Sequence, residues 1–80
     1  MALKFLTTRE MVENIKDILC RQKTIKGRKV FDADVAGVLR LAPTQLTTRV
    51  YRDRPPLAEI LMFCARCGVD VKDIIFKDDS

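Results

Sequence analysis

From Pro43 to Arg54 the sequence reads Pro-Thr-Gln-Leu-Thr-Thr-Arg-Val-Tyr-Arg-Asp-Arg. These side chains can read a nucleic acid, and few of them could break a bond. Gln45 can make two hydrogen bonds to adenine, at N6 and N7. Thr44, Thr47 and Thr48 carry hydroxyls for bases or phosphates and methyls for thymine. Arg49, Arg52 and Arg54 follow, where phosphates or a further base edge come within reach. Arg40 stands just before this run, and Lys26, Arg28 and Lys29 stand earlier, where they could grip a phosphate backbone.

Catalysis has much less to draw on. The chain has no histidine, which removes the commonest general base and the commonest metal ligand. Cys64-Ala-Arg-Cys67 has the spacing of a redox or zinc pair. Redox pairs of that kind sit at a helix N-terminus, where the thiolate is stabilised, and this pair falls near a helix C-terminus. A zinc site needs four ligands, and the only other cysteine is Cys20. Cys64 reads as core filler and Cys67 as a partly exposed thiol. An odd cysteine count argues against a disulfide framework, and reduced thiols in a helical core are expected. No enzyme activity, metal, cofactor or small-molecule substrate is expected.

The charge distribution supports a polyanionic partner. Residues 21–54 hold nine basic residues (Arg21, Lys23, Lys26, Arg28, Lys29, Arg40, Arg49, Arg52, Arg54) against three acidic ones (Asp32, Asp34, Asp53). The segments on either side together carry more acid than base. A basic block inside a folding domain suits double-stranded DNA. By charge alone it suits a solvated basic surface equally well.

The elements that must position these groups read as helices. Thr7 and Glu10 fit a capping box that opens a first helix over about residues 8–22, with Met11, Val12, Ile15, Ile18 and Leu19 at helical spacing. Residues 23–28 lack a period and contain Gly27, which predicts a loop. Asp32 is an N-cap for a short second helix. Arg40-Leu41-Ala42 is a tight turn, and Pro43 occupies the first position of a third helix running to Arg52. Leu46 and Val50, four apart, are its only aliphatic anchors, and its three threonines give poor intrinsic propensity. Pro55-Pro56 separates it from a fourth helix with Leu57, Ile60, Leu61, Cys64 and Phe63 on its apolar side and Gly68 closing it. Asp70 caps a last short helix over residues 71–76, and the tail, residues 77–80, is expected to fray. Leu3–Leu6 reads either as an extended piece or as a lead into the first helix. Tyr51 has two open roles, stacking on a base or phosphate, or packing on a neighbouring helix. Asp32 and Asp34 would repel phosphates, so capping and dipole balance are the better reading for both.

These elements predict one all-α domain over residues 1–80, a compact bundle of about five short helices. The pattern Val35-Ala36-x-x-Leu39-x-Leu41-x-x-x-x-Leu46-x-x-x-Val50 places a helix-turn-helix at about 32–52. Its second helix, about 43–52, would enter the major groove. The alternative is a helical protein-interaction module docking through Leu57, Met62, Ile75 and Phe76. The chain lacks the roughly 18 consecutive apolar residues of a membrane span. Met1–Leu6 is too short for a signal peptide, so a cytoplasmic location is expected.

From Val35 to Phe76 the chain resembles the helix-turn-helix domain of phage CI-type repressors, within the lambda-repressor-like group. Ala36, Leu39, Leu41, Leu46, Thr47, Arg52, Pro56, Ile60-Leu61, Phe63-Cys64, Gly68, Val69 and Ile74-Ile75 carry the resemblance, with no gap from the turn to the last helix. It implies a five-helix fold, operator DNA as ligand, dimeric binding to two half-sites and transcriptional repression. It also implies the bacterial cytoplasm or nucleoid and a phage or prophage origin. Base contact is carried over to Pro43, Thr44, Gln45, Thr47 and Thr48. The chain departs from the family at three places. Arg40 stands where the turn usually has glycine, and an arginine at positive φ costs about 1 kcal/mol or more, which argues for a turn built differently. Arg49 stands where an aromatic residue is common. Ala42 replaces a serine-like cap and cannot bond the exposed amides of the third helix.

Overall fold

A computed structural model describes residues 3–22 and 29–78. Five helices follow in order: α1 (Thr8–Arg21), α2 (Asp32–Val38), α3 (Pro43–Arg52), α4 (Leu57–Cys67) and α5 (Lys72–Ile75). A short strand precedes them, β1 (Leu3–Phe5), and another follows, β2 (Phe76–Asp78). The loop expected at 23–28 lies outside the described residues.

α1 starts at the capping box. The Glu10 amide donates to Thr7 Oγ1 at 3.2 Å, and the Thr7 amide donates to Glu10 Oε1 at 3.0 Å. Met11, Val12, Ile15 and Leu19 then lie on one side and are buried, with Ile18 half-buried beside them. α2 begins one position earlier than its sequence suggests. Phe31 is the N-cap, and its amide donates to Asp34 Oδ2 at 2.8 Å. Asp32 is therefore the first helical residue and not the cap. Its carboxylate pairs with Arg9 and Lys16 of α1 instead. Those two cations hold Asp32 below the usual carboxylate range, Lys16 having the larger effect.

The core joins all five helices. Ile15 and Leu19 of α1 meet Val35, Ala36 and Leu39 at α2, Leu46 of α3, Ile60 and Phe63 of α4, and Ile74 of α5. α4 is apolar nearly all round, so periodicity could not select its buried side. Ile60, Phe63 and Cys64 face the core, whereas Leu57 and Leu61 are exposed. Cys20 is exposed too, against the expectation of buried thiols, because it falls on the outer side of α1.

The tail differs from expectation as far as Asp78, and residues 79–80 lie outside the described residues. Phe76–Asp78 does not fray but pairs antiparallel with β1, in the register Leu3↔Asp78, Lys4↔Lys77 and Phe5↔Phe76. The Leu6 amide donates to Ile75 O at 3.0 Å, and the rings of Phe5 and Phe76 lie 4.7 Å apart. Each strand has three residues, too few for alternation to register in the sequence. Phe76 thus leaves α5, although the Asp70 side chain does cap that helix, accepting from the Lys72 amide at 3.0 Å.

Candidate nucleic-acid interface

α2 and α3 are joined by four residues, Leu39–Ala42. Arg40 takes φ 59°, in the left-handed region. Its amide donates to Gly37 O at 3.1 Å and the Leu41 amide donates to Ala36 O at 2.8 Å. This pair of bonds is the Schellman closure that normally uses glycine. The turn is therefore not built differently to spare Arg40. The arginine adopts the strained conformation, and the two bonds hold it there. From α4, Arg66 Nη2 donates to Val38 O at 2.6 Å, neutralising the carbonyl end of α2 from outside.

Pro43 opens α3 as its first residue. Ala42 gives no side-chain cap, and Gln45 supplies the other half of a capping box, its Oε1 accepting from the Ala42 amide at 2.9 Å. Leu46 is 2% exposed and Val50 is half-buried. At about 100° per residue, Thr44, Thr48 and Arg52 fall on the side of α3 opposite these two. Pro43, Thr44, Gln45, Thr47, Thr48, Arg49 and Arg52 are all exposed. The Thr47 hydroxyl donates to Pro43 O and the Thr48 hydroxyl to Thr44 O, both at 2.9 Å. Tyr51 is 89% exposed, which overturns packing on a neighbouring helix as its role.

α3 ends as α2 does. Asp53 takes φ 51°, and the Arg54 amide donates to Arg49 O at 2.9 Å. Asp53 Oδ1 accepts from the Thr8 amide at 2.7 Å and from the Thr8 hydroxyl at 2.9 Å. Thr8 is fully buried at the first turn of α1. These bonds fasten the end of α3 to the start of α1. They also turn the Asp53 charge toward the positive end of the α1 dipole. The Thr8 amide, with its hydroxyl adding to the effect, holds the Asp53 carboxyl below the usual range.

The cations of α1 differ from those around α3, while Lys4, Lys72 and Lys77, exposed and in no ion pair among the described residues, lie on β1, α5 and β2. On α1, Arg9 pairs with Glu13 and Asp32, Lys16 with Glu13 and Asp32, and Arg21 with Asp17. Arg40, Arg49, Arg52 and Arg54 are exposed and form no ion pair among the described residues. They line the turn, α3 and the residue after Asp53. Lys29 is exposed, but it borders a recess with Glu13, Asp17 and Cys20 of α1 that no α3 residue lines. Lys26 and Arg28 lie outside the described residues.

Sequence reasoning named the exposed α3 residues but missed three that support them. Asp53 could have been found as a residue tolerant of positive φ just past a helix end. Arg66 stands in the last turn of α4, where cations favour helix termini. The pairing of Asp32 with Arg9 and Lys16 spans two elements and leaves no local signal.

The two cysteines of the Cys64–Cys67 pair stand in different surroundings. Cys64 is buried and Cys67 exposed, and burial pushes the Cys64 thiol up, away from the thiolate form. Among the described residues no helix is long and apolar enough to cross a membrane. Comparison of the chain with protein-family models, with curated proteins and with solved structures gives no match.

Proposed function

We propose that this chain binds double-stranded DNA sequence-specifically, with α3 in the major groove and α2 above it, as a transcription regulator of repressor type. One observation carries the reading. The exposed threonine and glutamine side of α3 adjoins four arginines without carboxylate partners, whereas the cations of α1 are internally neutralised. A duplex presents about one negative charge per 1.7 Å of helix axis, and unpaired guanidinium groups beside a narrow polar helix suit it. Arg40, Arg49, Arg52 and Arg54 contact phosphates, and the first turns of α3 meet base edges. No chemical step or cofactor is involved. Repression and operation as a homodimer on two half-sites rest on the family resemblance.

Selection of bound duplexes from a random pool tests this. Enrichment of one sequence, with halves related by a two-fold axis and about one helical turn apart for a dimer, is the expected result. Failure to enrich any sequence overturns the reading. Within the enriched site, Gln45→Ala should remove about 1–3 kcal/mol of discrimination at one base pair, read by gel shift against single-base variants. Undiminished discrimination would remove Gln45 from the reading side.

A second reading has one observation in its favour. Leu57, Leu61 and Met62 leave apolar surface exposed on α4, as a protein-interaction module would. Ile75 is buried and Phe76 half-buried, so neither serves that role. An interaction module binds duplex DNA weakly and without preference, so the same selection separates the two.

A further inference from the structure

We propose that Thr48 reads the C5 methyl of a thymine and that its hydroxyl takes no donor role at the bases. The inference rests on the duplex-binding reading above. Thr48 is central on the side of α3 opposite Leu46 and Val50, and it is exposed. Its hydroxyl proton is already given to Thr44 O at 2.9 Å. Breaking that bond to make another to a base gains little, because one hydrogen bond replaces another. The γ-methyl has no such commitment. In the major groove only thymine, among the unmodified bases, offers a methyl group to meet it.

Gln45 narrows the choice further. It lies three residues before Thr48, so the two side chains are neighbours on one helix. Its Oε1 accepts from the Ala42 amide at 2.9 Å, which leaves the Nε2 group as the outward function. A donor there suits the O4 of thymine and opposes the N4 amino group of cytosine. The C5 methyl is shared by thymine and 5-methylcytosine, and the donor at Gln45 selects thymine. The threonine and glutamine together therefore predict a T·A pair under the middle of α3.

The test uses the full chain and the duplex enriched from the random pool, each thymine replaced in turn by uracil. Uracil differs from thymine only by the missing methyl. One replacement should weaken binding about fourfold, the effect of one buried methyl-sized group. Thr48→Ser keeps the hydroxyl and should bind uracil and thymine equally at that position. Thr48→Val keeps the methyl and should retain the wild-type preference. A third probe carries 5-methylcytosine·guanine in place of that T·A pair, and it should bind more weakly than the original. Equal binding of that probe overturns the thymine assignment. Loss of the preference in Thr48→Val, or its survival in Thr48→Ser, overturns the role of the methyl. A duplex that enriches yet tolerates every uracil overturns this inference and leaves the duplex-binding reading standing. A pool that enriches nothing overturns both.

Discussion

Arg40, Asp53 and Gly68 turn the chain through positive φ, and only one of the three is glycine. Each closes a helix, so the conformation is imposed by the carbonyls of the preceding turn. Two backbone bonds hold Arg40 there, but its exposed side chain adds no hydrogen bond or ion pair among the described residues. Arg40→Gly should therefore raise stability by about 0.5–1 kcal/mol, the relief of left-handed strain less the extra freedom of an unfolded glycine. The same change should weaken duplex binding by removing a phosphate contact. Urea melts and gel shifts moving in opposite directions would confirm that the strain is kept for the charge. Asp53 is different, because its carboxylate holds Thr8. Its folded pKa is lowered, so its contribution is complete above the ordinary carboxylate range and is lost as pH falls through the folded value. Asp53→Asn tolerates positive φ but lacks the charge. The urea midpoint should be lower for the variant at neutral pH, and the gap should close as the pH falls below the ordinary carboxylate range. The pairs of Asp32 with Lys16 and Arg9 remain in both proteins and weaken in parallel over that range. Lys16, held above its ordinary value chiefly by Asp32, keeps its contribution until the pH rises past the lysine range, so it adds no slope here. A gap that persists unchanged into acid would show that Asp53 acts through shape and not charge.

Helices α1 and α3 were legible in the sequence because their signals are local. Thr7 and Glu10 mark one start, Pro43 another, and spacing by three and four marks the buried sides. The exposed α3 residues were legible for the same reason, since Leu46 and Val50 define the inner side and everything opposite must face out. What the sequence concealed depends on contacts between distant elements. The β1–β2 pair joins the two ends of the described chain and has three residues per strand, too short for a period. α4 offers apolar residues on every side, so the packing of its neighbours decides which are buried. Arg66 reaches from α4 to the carbonyl end of α2, a bond across 28 positions. That bond fixes the turn before α3, and Arg66→Ala should cost about 1 kcal/mol, the worth of an exposed charge-assisted hydrogen bond. Amide exchange should speed up most at Leu39–Leu41, where the closure of α2 loses its outside support. Uniform acceleration across all five helices would mean that Arg66 supports the core and not the turn.

On the scale of the whole molecule, the proposed duplex binding rests on where the unpaired cations lie and not on how many cations there are. A net charge of +4 is modest, and on its own it would give weak, diffuse attraction. Neutralisation on α1 takes that helix out of the effective charge, and on the α3 side Arg40, Arg49, Arg52 and Arg54 supply it. Each phosphate contact releases counterions and contributes about −0.9 to the slope of log affinity against log salt. The four arginines Arg40, Arg49, Arg52 and Arg54 together should give a slope of at least about −3.6 in magnitude. Arg52→Ala should reduce that magnitude by about 0.9. Arg21→Ala removes a cation of the same kind, already paired with Asp17 on α1, and should leave the slope where it was. The two variants lower net charge equally, so any account based on net charge requires equal slopes. Slopes measured by gel shift between 50 and 200 mM salt, a range of about fourfold that suffices to resolve one contact, therefore decide between them. Unequal slopes locate the duplex on the α3 side of the molecule, and equal ones return the basic block to the role of a solvated surface.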